Sequence, residues 1–161
     1  MELYFVRHGQ AEDSQPPDFD DFARSLTEKG AERIHSVGKV LAKMGLKPAV
    51  LYSSPRLRAR QTGEILAGIL NVNLTLCDDL NFGFNPLVLP NLIQDFSKDQ
   101  QIVFVGHEPD LSITVSSLIG GGELEMKKGG VLRVDLVART PLRGVLFWAL
   151  TPRVLDAMDD K

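Results

Sequence analysis

At 161 residues and 17.8 kDa the chain has the length of one domain, residues 1–161, which at this size buries roughly 70% of the unfolded chain's surface. The 18 Lys and Arg against 21 Asp and Glu leave a net charge of −3, and the pI near 5.6 argues against a nucleic-acid binder, so an anion has to be held locally. The lone cysteine, Cys77, excludes an internal disulfide framework and a Cys-x-x-Cys zinc site. The longest apolar run, Val145–Leu150, is far below the roughly 18 residues of a membrane span. The start, Met1–Arg7, lacks the basic-then-apolar layout of a signal or transit peptide, so a cytoplasmic protein with no membrane partner is expected.

Leu3–Val6 is a continuous apolar run and reads as a strand. Ile34, Val37, Leu41 and Met44 then recur at helical spacing behind Thr27 as N-cap, with Gly45 as the stop. Ala49–Tyr52 is the second strand, and Ser54-Pro55 reads as a cap and an N1 proline for a helix whose apolar face is Leu57, Ile65, Leu66 and Ile69. Val72–Cys77 alternates as a third strand, Asn85-Pro86 starts a helix running to about Phe96, Gln101–Val105 is the fourth strand, and Pro109 begins a helix reaching about Ile119. Val131–Val137 and Val145–Leu150 are strands joined by a turn around Pro141–Gly144. The order β-α-β-α-β-α-β-α-β-β predicts a three-layer α/β/α sandwich, its central sheet mostly parallel with an antiparallel C-terminal hairpin. The acidic segment Glu12–Asp21, with Pro16-Pro17, reads as a solvated loop, and Asp156–Lys161 as a frayed terminus.

Arg7-His8-Gly9 follows the first strand and Gly106-His107-Glu108-Pro109 the fourth. Open α/β sheets bind ligands beyond the carboxyl ends of their strands, so two histidines delivered by two central strands are candidates for one crevice. A lone histidine at a strand end is usually a satisfied polar residue; the pairing is what points to chemistry. Arg7 beside His8 suits a phosphoryl group and repels a metal cation. In Ser54–Thr62, Arg56 and Arg60 share a helix face while Arg58 lies roughly 200° from Arg56, so one set alone faces the site. Arg58 is the candidate anion ligand, near a helix N-terminus at the strand ends, and Arg56 and Arg60 read as solvated. His35 reads as a surface or helix-packing residue, and Cys77 as a small buried hydrophobe.

Arg-His-Gly after the first strand, Arg24-Ser25-Leu26-Thr27 with Gly30, Ser-Pro-x-x-Arg-x-x-Gln-Thr after the second strand and the late Gly-His stand in an order that resembles the histidine phosphatase superfamily. Size and motif form are most similar to its SixA-type phosphohistidine phosphatases, over essentially the whole chain. The resemblance implies that His8 is the nucleophile and that Arg7, Arg58 and His107 bind the phosphoryl oxygens. Gly9 completes the first motif. Arg24 is a further candidate that could instead fix the loop before Thr27. These roles need no cofactor and no metal, because arginines supply the positive charge.

The chain departs from the superfamily in the loop after the third strand, where many members carry a glutamate general acid and this sequence has Cys77-Asp78-Asp79-Leu80-Asn81. Asp79 could substitute, or be a solvated loop carboxylate. The expected activity is hydrolysis of protein phosphohistidine through a phospho-His8 intermediate. The implied partner is a phosphorylated protein such as a histidine-containing phosphotransfer domain. A small-molecule phosphomonoesterase of the same superfamily and a catalytically silent phospho-ligand-binding module are the alternatives.

Overall fold

The computed structural model describes residues 1–13 and 20–159. The centre of the expected acidic loop, with Pro16-Pro17, and the last two residues of the tail lie outside them. Strands β1 (Glu2–Arg7), β2 (Val50–Ser53), β3 (Leu74–Leu76), β4 (Gln101–Gly106), β5 (Val131–Arg139) and β6 (Leu142–Leu150) form one sheet in the order β3-β2-β4-β1-β5-β6. The β1–β4, β2–β4 and β2–β3 pairs are parallel; β5 lies antiparallel to both β1 and β6.

Apolar residues on both faces of β1 and β4 account for their central place. Leu3, Phe5, Ile102 and Phe104 pack on one side with Leu89 and Ile93 of α3 (Leu89–Ile93) and Leu111, Val115 and Leu118 of α4 (Asp110–Leu118). Tyr4, Val6, Val103 and Val105 pack on the other side. There they meet α1 (Glu28–Lys43), α2 (Leu57–Leu70) and α5 (Pro152–Met158) through Ile34, Val37, Leu41, Leu66 and Leu155. Burying each such Leu, Ile or Phe contributes about 1.5–3 kcal/mol. This is the expected three-layer sandwich.

The helix α1 starts and stops where its residues dictate. Thr27 Oγ1 accepts the Gly30 N–H at 2.9 Å, and Gly45, at φ +85°, closes the C-terminus in the left-handed region that favours glycine. Other elements differ from expectation. The helix expected from Asn85 shrinks to Leu89–Ile93, because Pro90 has no N–H to donate and fits only a first turn. Ser54 does not cap α2: Arg56 occupies the N-cap in extended conformation and the helix begins at Leu57. The strand expected over Val72–Cys77 pairs only over Leu74–Leu76, limited by the four-residue β2 beside it. Part of the expected frayed tail is helix α5, anchored by fully buried Leu155.

Gly30 holds α1 against the loop that leaves β1, since a Cβ there would lie 2.1 Å from the Gln10 carbonyl oxygen. That neighbour is backbone and cannot rotate away, so Gly30→Ala is expected to destabilise the protein by about 1–3 kcal/mol in urea unfolding and to lower activity by moving the His8 loop.

Candidate active site

The backbone register of the two central strands builds the site. Arg7 lies opposite Gly106, and the His8 N–H donates to the Gly106 carbonyl at 3.1 Å, so His8 and His107 leave neighbouring parallel strands at the same level. Their rings are 5.2 Å apart, centroid to centroid, and both are buried, 5% and 3% exposed. Ser54, beyond β2, completes the row: its N–H donates to Val105 O and its hydroxyl oxygen is 2.8 Å from His107 Nε2. The Gln-Thr of the second motif does structural work. Gln61 Oε1 accepts the Leu26 N–H, and Thr62 Oγ1 accepts the Gly9 N–H while donating to Arg58 O.

Hydrogen bonding assigns the His8 tautomer. Its Nδ1 lies 2.7 Å from its neighbour's carbonyl, Gly9 O, which can only accept, so Nδ1 carries the proton and Nε2 keeps a lone pair. Arg58 Nε donates to that Nε2 at 3.3 Å. Burial first, and then the Arg58, Arg7 and Lys128 charges, push the His8 imidazolium down to about 3 against a partial opposing effect of the Gly9 bond. Burial, the neighbouring His8 and the Arg58 and Arg56 guanidiniums bring His107 to about 3 as well. Both rings are neutral at pH 7, which leaves Nε2 of His8 nucleophilic.

Unpaired buried polar atoms, guanidinium donors among them, mark where an anion can bind. Among the described residues four buried side-chain polar atoms have no partner, and three of them are Arg7 Nε, Arg24 Nε and His107 Nδ1. Such atoms are costly to bury unsatisfied; Arg7 and His107 stand beside His8, and Arg24 joins Arg58 through Asp21, so these atoms mark a candidate site for a ligand with oxygen acceptors. Arg7 is held from behind by the Met126 carbonyl, 2.6 Å from NH1.

One carboxylate, Asp21, serves three guanidiniums. Its Oδ2 lies 2.8 Å from Arg56 NH1 and 3.2 Å from Arg58 NH2, and its Oδ1 is 3.0 Å from Arg24 NH2; its main-chain oxygen accepts from Arg58 NH1 at 2.9 Å. Burial raises the Asp21 carboxyl, but Arg58, Arg24 and Arg56 outweigh it and hold the group below the usual carboxylate range. Arg56 also bonds Asn81 Oδ1 and lies 3.7 Å over the Phe82 ring, which stands edge-on to His107.

His8, Arg7, Gly9, Arg58, His107 and Arg24 thus come together. Arg60 and His35 are exposed, Arg60 paired with Glu64. Cys77 is half-buried outside the cluster, its thiol pushed up by burial. One expectation changes. Arg56 is not a solvated arginine, because an extended N-cap residue does not follow the helical wheel. Asp79 is exposed on the turn after β3 and makes no hydrogen bond or ion pair with the histidines or arginines. Asp21, Ser54, Asn81 and Phe82 are the neighbours that motif reading missed; of these only Ser54 stood inside a recognised motif.

A buried histidine pair beside arginines at the carboxyl ends of parallel strands is an arrangement suited to binding a phosphoryl group. The sequence profile of the histidine phosphatase superfamily (branch 1) matches residues 3–81, and the chain belongs to that superfamily, as a phosphatase. It is 34% identical over 150 residues to an uncharacterized protein of Picosynechococcus sp., covering 82% of this chain and 83% of that protein. The fold is similar to the protein histidine phosphatase SixA in complex with tungstate, with TM-score 0.84 and 22% identity over 96% of this chain and 99% of that one. It is also similar to the mycobacterial glucosyl-3-phosphoglycerate phosphatase, with TM-score 0.74 and 14% identity over 91% and 96% of the two chains.

The depressed histidines make stability pH-dependent. Below the ordinary value of 6.5 the unfolded chain binds protons that the folded chain, with both groups near 3, does not. Stability is therefore full above pH 6.5 and falls on acidification, by about 1.4 kcal/mol per pH unit for each histidine once the pH is well below that value. Urea unfolding between pH 7 and 5, above most carboxylate titration, is expected to show this slope, and His107→Asn to make it shallower.

Arg58→Ala removes the guanidinium that contacts His8, and its expected cost is about 2–4 kcal/mol in kcat/KM, about 30- to 1,000-fold. Arg60→Ala should change it less than about twofold, since an exposed helical ion pair contributes little.

Proposed function

We propose that this phosphatase hydrolyses protein-borne phosphohistidine through a phospho-His8 intermediate, without a metal. The observation that supports this most is the state of Asp21. It is the one carboxylate, among the described residues, in contact with the arginine cluster, and it is held ionised. Glu108, beside His107, is turned to the Ser112 N–H and hydroxyl. Among the described residues the crevice therefore offers no carboxylic acid to protonate a departing alkoxide, as cleavage of an ester P–O bond requires. A phosphohistidine protonated on its distal ring nitrogen leaves as neutral imidazole and needs no such acid.

The chemistry follows from the geometry. The His8 Nε2 lone pair, freed as the Arg58 Nε–H hydrogen bond passes to a phosphoryl oxygen, forms a bond to phosphorus as the substrate's P–N bond breaks and its electron pair returns to the leaving imidazole. Nδ1–H stays on the Gly9 carbonyl and disperses the charge that His8 acquires. Arg7, Arg24, Arg58 and His107 present donors to the three phosphoryl oxygens. Water then forms the new P–O bond, the His8–phosphorus bond breaks, and phosphate leaves with the water's protons shared between it and solvent. The likeness to SixA, a protein histidine phosphatase, supports the same substrate class. The arginines supply positive charge directly, and among the described residues no three His, Cys, Asp or Glu gather as a metal-ligating group.

Two measurements test the proposal. Quenching during turnover is expected to trap an acid-labile, base-stable phosphoenzyme that His8→Ala lacks, with activity surviving chelation and falling with vanadate. In a substrate panel, kcat/KM for a phosphohistidine peptide is expected to exceed that for phosphoglycerate by about tenfold or more, and Asp79→Asn to leave both unchanged. A tenfold preference for phosphoglycerate, abolished by Asp79→Asn, would establish a small-molecule phosphomonoesterase with Asp79 as its acid.

A further inference from the structure

Four basic side chains, Arg33, Lys127, Lys128 and Arg153, line one groove of about 420 Å³ together with Thr151 and Pro152. In a chain of net charge −3 this groove runs against the overall sign. Arg33 pairs with Asp156 and Lys127 with Glu125. Lys128 and Arg153 are exposed and take part in no ion pair among the described residues. Gathering such charges is unfavourable in the free protein and becomes favourable against an anionic surface.

The fold sets this groove beside the crevice. Val131 lies opposite both Val6 of β1 and Leu150 of β6, so β6 ends level with the carboxyl end of β1, and Thr151–Arg153 follow directly. Gly129, next to Lys128, donates its N–H to the Arg7 and His8 carbonyls at 3.0 and 3.1 Å. A Cβ on Gly129 would lie 3.8 Å from Pro152 and 3.4 Å from Ile34. The 126–130 loop thus has the site on one side and the groove on the other, and Lys128 is near enough for its charge to act on His8.

We propose that this groove docks an acidic surface next to the phosphohistidine of the protein substrate; the inference rests on the phosphohistidine reading and adds to it the partner's charge. Attraction between the groove and acidic side chains steers the phosphoprotein toward the crevice and holds it there, acting on encounter and KM rather than on the chemical step.

The test uses two peptides with a central phosphohistidine flanked by runs of glutamate or of lysine, and phosphoramidate as a phosphoryl donor with no flank. At low salt the wild-type enzyme is expected to favour the glutamate peptide by about tenfold in kcat/KM, mainly through KM, with the gap closing at about 0.5 M salt. Arg153→Glu, alone and with Lys128→Glu, is expected to erase or reverse the preference, and Arg153→Glu to leave phosphoramidate hydrolysis within about twofold. Equal turnover of the peptides by the wild type, a preference that persists in Arg153→Glu, or an equal loss on all three substrates in that variant overturns the docking surface alone. A wild-type enzyme that cleaves phosphoglycerate and neither peptide overturns the phosphohistidine reading, and the docking surface with it.

Discussion

The site depends on β1 and β4 being parallel neighbours in register at Arg7 and Gly106. From that point the chain leaves β1 for α1 on one face of the sheet and leaves β4 for α4 on the other. The two connections diverge and open a crevice between them, the topological switch point where open α/β sheets accept ligands. Only a pair of strands buried on both faces can occupy this position, and the apolar runs Leu3–Val6 and Ile102–Val105 meet that demand. Core packing and catalytic geometry are here the same constraint: a slip of one residue between these strands would turn both faces and separate the histidines.

Burial then sets the electrostatics. Arg58 is 2% exposed, and a guanidinium taken out of water needs compensation. The fold provides it from fixed carbonyls, Met126 O for Arg7 and Asp21 O for Arg58, and from the shared Asp21 carboxylate. The same desolvation that makes the cations costly keeps both imidazoles neutral. His8 can therefore stand 3.3 Å from a guanidinium without being protonated, as the proposed nucleophile must, and unsatisfied donors in a site of low dielectric gain most from a dianion.

What could be read from the residues was whatever is local or periodic. The strand–helix alternation, the Thr27 cap and the Gly45 stop follow from short-range rules, and the motif residues His8, Arg7, Arg58 and His107 were placed by the strand ends they follow. The missed features depend on distant partners. Ser54 resembles a helix cap until His107 of another strand takes its hydroxyl. Arg56 was assigned by a helical wheel that starts one residue after it. Asp21 reads as one acid in an acidic stretch, and only the tertiary approach of Arg24, Arg56 and Arg58 distinguishes it. Helix α5 was lost in a charged tail because a single buried leucine, Leu155, anchors it.

Asp21 also shows how the cluster can exchange one anion for another without losing its shape. Its side chain gives the arginines one carboxylate, whereas a phosphoryl group brings greater charge and three oxygens, so it can displace the carboxylate from Arg58 NH2 on electrostatic grounds. Arg58 NH1 is held by the Asp21 main-chain oxygen, and that bond is not one an incoming anion competes for. The guanidinium can thus hand its NH2 from Asp21 to the substrate while its plane stays in place, with Nε still directed at the His8 side of the crevice. A carboxylate shared by three guanidiniums reduces the repulsion among these partly buried cations and keeps the cluster oriented for the phosphoryl group of the proposed reaction.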